Sequence, residues 1–432
     1  MGTMLERFFR LDEHNTTPRT ELLAGLTTFL TMLYIVFVNP TMLAEAGMDR
    51  GAVFVATCLA AAIGTLLMGV LANYPIALAP GMGLNAYFAY TVVLGMGHPW
   101  QTALGAVFIS GCIFVLLSVF KVRMWLIDAI PPSLKLATST GIGLFLAVIA
   151  FQSAGVIADS PATLITLGDL GNPRTLLACL GFVLMVALDV RRVPGAIVIG
   201  ILTVTGVAAL LGLTQFEGVF APPPDIRPTF LAMDIRAAFD VGLITIVFAF
   251  LFVDLLDTAG TLVGVAHGAS MLDRQGRLPR LGPALLADSS ATVLGATLGT
   301  STTTSYIESV LGVQAGGRTG LTALTVSLLF LLALFLAPLA QSVPPFATAP
   351  ALLYVACTMA RGFASIDWSD ATEASPALVT ALGIALTLSI ATGIGLGFLA
   401  FTAIKLLTGR GRDVTPGVLV LSILFLLKFS LL

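Results

Sequence analysis

Long apolar runs separated by short polar breaks dominate the chain. Runs long enough to cross about 30 Å of hydrocarbon begin near residues 21, 52, 75, 101, 133, 160, 194, 239, 282, 301, 320, 345, 375 and 414. They predict fourteen spans, nearly all helical, because a backbone facing lipid must satisfy its own hydrogen bonds. Two of the runs make poor helices. The third, "YPIALAPGMGLNAYFAYTVVLGMG", has Pro80, Gly81 and Gly83 at its centre, followed by Asn85. The tenth, "GTSTTTSYIES", carries consecutive hydroxyl side chains from Thr300 to Ser305 and then Glu308. The sixth and thirteenth runs are long enough to be broken or tilted.

The pattern also repeats. "IPPSLKLATSTGIGLFL" at residue 130 resembles "VPPFATAPALLYVACTM" at 343, and "SPATLITLG" at 160 resembles "SPALVTALG" at 375. The offsets are 213 and 215, each close to half of 432. Seven spans per copy is an odd number, so the second copy enters the membrane inverted, an arrangement typical of secondary transporters. The expected division is a tail over 1–20, a first repeat over 21–213, a Pro-rich linker over 214–237 and a second repeat over 238–432. The two poor helices fall at matching places in the two copies, which points to a binding site near the midplane. An extended segment running into a half-helix there leaves backbone N–H groups free for a small polar molecule.

Composition fixes the class: 57% of residues are hydrophobic and 10% charged, with mean hydropathy +1.01. Soluble domains carry about 25% charged residues; this is an all-α polytopic membrane protein. The net charge of −2 offers no basic surface for nucleic acid. Cys58, Cys112, Cys179 and Cys357 lie in apolar runs without a CxxC pair, and read as core residues, not disulfides or metal ligands. With the charged N-terminus inside, inner loops hold 14 Lys and Arg against 7 outside. That favours cytoplasmic N- and C-termini. The cluster Lys405–Arg412 falls on the wrong side of this scheme, so either the thirteenth span is not a simple crossing or the count is off by one near the end.

Acids inside apolar runs are the candidate chemistry. Glu308 stands beside the tenth break, and Asp254 and Asp257, three residues apart in "LITIVFAFLFVDLLDTAGTLVGVA", share one helix face. A charge at bilayer depth costs at least about 2.5–3.5 kcal/mol and marks function by default. No Lys or Arg lies well inside an apolar run to pair with them. Acids and amides without a cation suit a neutral ligand rich in N–H donors, a proton or a metal cation, and suit oxyanions poorly. Tyr87, Phe88 and Tyr306 could stack on a flat ligand. Physics alone leaves proton and sodium coupling open. An anion carrier or exchanger of the same fold is the rival within the class, disfavoured because the intramembrane charges are all acidic. A membrane-embedded enzyme is the rival of another class, but there is no HExxH, Ser–His pairing or nucleotide loop.

Five segments in order, "LTTFLTMLYIVFVNP", "LAPGMGLNAYFAY", "FLFVDLLDTAGTLVGVA", "TTTSYIES" and "GGRTGLTAL", closely resemble the AzgA-like purine permeases. These are a branch of the nucleobase–ascorbate, or second nucleobase–cation symporter, superfamily. The resemblance implies a uracil-transporter-like fold of fourteen segments in two inverted repeats. Spans 1–4 and 8–11 would form a core domain and spans 5–7 and 12–14 a gate. It also implies proton-coupled uptake of adenine, guanine or hypoxanthine, without cofactor or metal, through a bacterial inner membrane, and suggests a homodimer. Carried over by residue, the substrate site would comprise Asn85, Asp257, Glu308, Gly83, Thr304, Ser305, Tyr306 and Phe88. Glu308, Asp257 and Asp254 would carry coupling, with Asp257 favoured over Asp254 for substrate contact. Ser309 stands where uracil transporters carry Asn, which puts uracil in doubt.

Overall fold

Helix boundaries follow local chemistry. Thr17, Asp49, Asn172, Asp370 and Ser389 each accept a first-turn backbone N–H at the starts of Pro18–Met32, Arg50–Leu67, Pro173–Val190, Ala371–Thr387 and Ile390–Leu407. Such caps satisfy donors that the helix itself leaves free. The computed structural model describes residues 4–119, 130–161, 163–239, 241–268 and 278–430. Lys121, Arg123, Arg274 and Arg277, four of the 14 inner-loop charges counted above, lie outside them. Among the described residues, eight helical segments are long and apolar enough to cross a membrane, and shorter apolar helices accompany them.

Helices pack mainly in two groups. In the first, Trp100–Val119 lies on Leu281–Leu298, and Gly320–Ala333 lies on Pro18–Met32 and Arg50–Leu67. In the second, Pro132–Ser153 packs against Pro345–Ala360 and Ala371–Thr387, while Pro173–Val190 contacts Ala196–Leu210 and Pro345–Ala360. Val241–Gly268 and Tyr87–Gly95 join the first group through Trp100–Val119, and Ile390–Leu407 joins the second through Ala371–Thr387. Between the groups, Phe252 meets Phe398 edge-on with ring centroids 5.7 Å apart, and the Thr91 hydroxyl donates to the Leu388 carbonyl.

The structure revises the predicted spans at two places. The sixth run begins as a hairpin, β2 (Ile157–Ser160) and β3 (Leu164–Leu167), and becomes helical only at Pro173. The match of 160–168 to 375–383 therefore joins a hairpin to a helix, whereas the match of 130 to 343 joins the Pro-led starts of two helices. The thirteenth run is two helices, Ala371–Thr387 and Ile390–Leu407. Leu388 turns the chain back in a left-handed conformation (φ 48°), and Gly393 and Gly397 admit Ile384 and Thr380 of the antiparallel neighbour. A Cβ at Gly393 would lie 2.3 Å from the Ile384 nitrogen. This hairpin brings the basic cluster back beside residue 370: Arg410 pairs with Asp370 at 2.6 Å and Lys405 with Glu373 at 2.6 Å. Hydrogen bonds from Thr372, reinforced by Arg410, hold the Asp370 carboxyl down to about 2. Lys405, contrary to expectation, is a buried cation within an apolar run, with Asp413 as its second partner. Beyond it, the run beginning near 414 forms the separate helix Pro416–Ser430 against Ile390–Leu407.

Candidate functional site

Pro80, Gly81 and Gly83 stop the third run from being a continuous helix, and the hydroxyl run does the same for the tenth. The two breaks solve each other's backbone problem. Strand β1 (Leu78–Pro80) pairs antiparallel with β4 (Thr303–Ser305), Ala79 opposite Thr304. The ribbon is extended by Gly81 N–H to the Thr302 carbonyl at 2.9 Å and Tyr306 N–H to the Ala77 carbonyl at 3.0 Å. A two-stranded ribbon still has outer edges, which a buried site must satisfy. Two hydroxyls and a carboxylate do this from the preceding helices. The Thr65 hydroxyl accepts the Leu78 N–H at 2.9 Å and donates to its carbonyl at 3.0 Å. Thr292 donates to the Thr303 carbonyl at 2.9 Å, and the Asp288 carboxylate accepts the Ser305 N–H at 3.0 Å. Gly64 lets the layers meet: a Cβ there would lie 2.9 Å from that of Ala291 and 3.4 Å from Leu78 and Thr303.

A short helix follows each strand, Met82–Ala86 after β1 and Ser309–Gln314 after β4, and neither start is capped by a side chain. Glu308 sits at the second start, half-buried, and its Oε1 accepts the Tyr34 hydroxyl at 2.9 Å. The Tyr306 hydroxyl donates to the Pro80 carbonyl at 2.5 Å, tying one break to the other. Asp257 is also half-buried, and its Oδ2 would lie 3.8 Å from a Cβ at Gly81. Asp257 and Glu308 thus keep access at the two breaks, while the other acid, Asp254, is 1% exposed.

Asp254 belongs to a buried polar network. The Thr258 hydroxyl is 3.2 Å from Asp254 Oδ1, 2.8 Å from Asp288 Oδ2 and 2.9 Å from the Thr304 hydroxyl. Asp288 also accepts the Ser305 hydroxyl at 3.1 Å. Thr304 and Ser305 are accordingly buried and held from below. Asn85 is fully buried in a second network, its Nδ2 donating to Asn39 Oδ1 at 2.6 Å. Gly83 is where the third run presses on the second helix group: a Cβ would lie 2.3 Å from Ile142 Cγ2. Phe88 is fully buried within the packed core, away from any open face.

Several participants escaped the reading of the sequence, among them Tyr34, Asn39, Thr258 and Asp288. Asp288 carried a readable signal, since "ALLADSSATVLGATLG" places an acid inside an apolar run as clearly as the eighth span does. Asn39, an amide within "YIVFVNP", carried a weaker one. Tyr34 and Thr258 had none, being residue types common in membrane helices.

Comparison with known proteins completes the description. Residues 19–396 match the Xan_ur_permease family, described as "Permease family". The chain is 47% identical over 425 residues to "Adenine permease AdeP" of Escherichia coli (strain K12), covering 98% of this chain and 96% of that protein. It is 44% identical over 432 residues to "Guanine/hypoxanthine permease PbuO" of Bacillus subtilis (strain 168), covering 98% and 100%. The chain is a purine permease of the second nucleobase–cation symporter superfamily. The permease is not an enzyme. Its fold is shared more widely. The transmembrane domain of the cyanobacterial bicarbonate transporter BicA matches with TM-score 0.66 at 14% identity, covering 88% of the permease and 97% of that chain. Murine Slc26a9, an anion transporter in the inward-facing state, matches with TM-score 0.65 at 13% identity, covering 90% and 68%.

Proposed function

We propose that the permease imports adenine, guanine or hypoxanthine across the bacterial inner membrane by proton symport. The first helix group, with both breaks, would act as a core that moves against the second as a gate, in the manner of an elevator. The observation that carries this reading is the β1–β4 ribbon flanked by two half-buried carboxylates, Asp257 and Glu308. A purine has several N–H donors on a flat edge and no net charge, and a carboxylate accepts such donors while able to exchange a proton. A neutral ligand brings no compensating charge, so taking up a proton with it keeps the site neutral through the crossing. Glu308 is suited to that role, because the Tyr34 hydroxyl holds the carboxyl in place in either protonation state. The names of the relatives support purines, while the anion transporters share the fold at 13–14% identity only.

On this reading the N-terminal tail and the Lys405–Asp413 segment lie on the cytoplasmic side, which agrees with the excess of inner positive charge. Gly83 against Ile142 and Thr91 against Leu388 are then contacts that break or slide when the core moves. The test is uptake of labelled hypoxanthine and adenine into proteoliposomes in sodium-free buffer. An inward proton gradient should drive accumulation and a protonophore abolish it. Uptake that needs sodium and ignores the pH gradient would refute proton coupling, and absence of purine uptake under either gradient would refute the substrate.

A further inference from the structure

The amide of Asn85 is oriented by a chain of hydrogen bonds that begins at a backbone carbonyl on another helix. The Thr57 hydroxyl lies 2.6 Å from the Val53 carbonyl oxygen. Two oxygens at that distance need a proton between them, and only Thr57 has one to give. Thr57 has then spent its proton and can only accept from Asn39, which is 2.8 Å away. The Asn39 atom facing it must be the nitrogen, which also reaches the Thr300 hydroxyl at 3.0 Å. This leaves Asn39 Oδ1 turned toward Asn85 at 2.6 Å, so Asn85 must present its own NH2 there. Asn85 Oδ1 is forced to point the other way. It is buried and has no hydrogen-bond partner among the described residues.

A buried amide oxygen left without a donor is destabilising, so the arrangement calls for a donor from outside the chain. Asn85 is one turn past the third-run break: its N–H donates to the Gly81 carbonyl at 2.8 Å, and Gly81 is the residue that Asp257 faces. We propose that Asn39 is a positioning residue that holds Asn85 with its carbonyl oxygen committed to accepting a substrate N–H. The inference rests on the purine reading above and specifies the polarity of one of its contacts. Asn39 does not itself touch the ligand. It fixes which half of the Asn85 amide the ligand meets, and Thr57 in turn fixes Asn39.

The experiment measures binding to purified protein by calorimetry for adenine, hypoxanthine and the series of purines methylated singly at each ring nitrogen. In the wild type, one methylation, at the nitrogen whose proton Asn85 accepts, should cost disproportionately. Asn39→Leu and Thr57→Val free the Asn85 amide to turn. Each should weaken the unmethylated purine by about tenfold, the worth of one hydrogen bond, and leave the methylated one nearly unchanged, so that discrimination is lost. Thr57→Ser keeps the hydroxyl and should retain wild-type discrimination. A loosened fold would weaken both ligands equally and keep the methylation penalty; that result overturns the proposal, as does a wild type indifferent to every methylation. Absence of any purine binding to the wild type overturns the substrate reading instead.

Discussion

Asp288 holds β4 in place, and its removal should cost the site as well as the fold. In Asp288→Ala three donors lose this acceptor: the Ser305 N–H, the Ser305 hydroxyl and the Thr258 hydroxyl. Thr258 keeps Asp254 and Thr304 as neighbours, so its loss is small. Ser305 carries the main burden. A buried N–H without acceptor costs about 1–3 kcal/mol, and a lost hydrogen bond to a charged acceptor about 1.5–3 kcal/mol. Together they amount to about 2.5–6 kcal/mol, a range that brackets the cost of breaking a buried charged pair. Asp288→Asn keeps one oxygen for the Ser305 N–H and offers an NH2 to Thr258, which can accept, so its cost should be about 1 kcal/mol. Because β4 leads directly into Tyr306 and Glu308, loosening it should also weaken substrate binding. The assay is thermal denaturation of detergent-solubilised protein, with purine affinity measured on the same samples. The expected order of stability is wild type, then Asn, then Ala, with affinity falling in parallel. An Ala variant that melts and binds as the wild type does would refute the reasoning.

Glu308→Gln retains an oxygen for the Tyr34 hydroxyl but cannot cycle its charge; uptake should fall by at least about 100-fold while the purified protein melts normally. Asp257→Ala should abolish purine binding and Asp254→Ala only weaken it, since Asp257 is half-buried at Gly81 whereas Asp254 is 1% exposed; calorimetry that returns the reverse order would give Asp254 the substrate contact. Gly83→Ala places a methyl 2.3 Å from Ile142 Cγ2 and should depress transport. Ile142→Ala in the same chain should restore part of it, and failure to do so would mean that Gly83 matters for something other than this contact.

The sequence by itself determined the solvent and the points of weakness. Apolar runs of membrane length make helices because hydrocarbon leaves the backbone no other partner. Pro80, Gly81 and the hydroxyl run from Thr300 mark where that rule fails, and Glu308, Asp254 and Asp257 stand out as charges in the wrong solvent. These are local facts, visible within a window of one span. What the tertiary structure decided is which distant groups answer one another. Tyr306 meets Pro80 across 226 residues, and Asp288, Thr292 and Thr65 close the edges of a ribbon that neither strand could form alone. The same holds for the 371–407 hairpin, where a left-handed Leu388 and two close-packed glycines turn one apparent span into two. A run of apolar residues states that a segment is buried. Whether it goes straight through or turns back depends on what it packs against, and the polarity of the Asn85 amide depends on a carbonyl at Val53 that no motif around Asn85 contains.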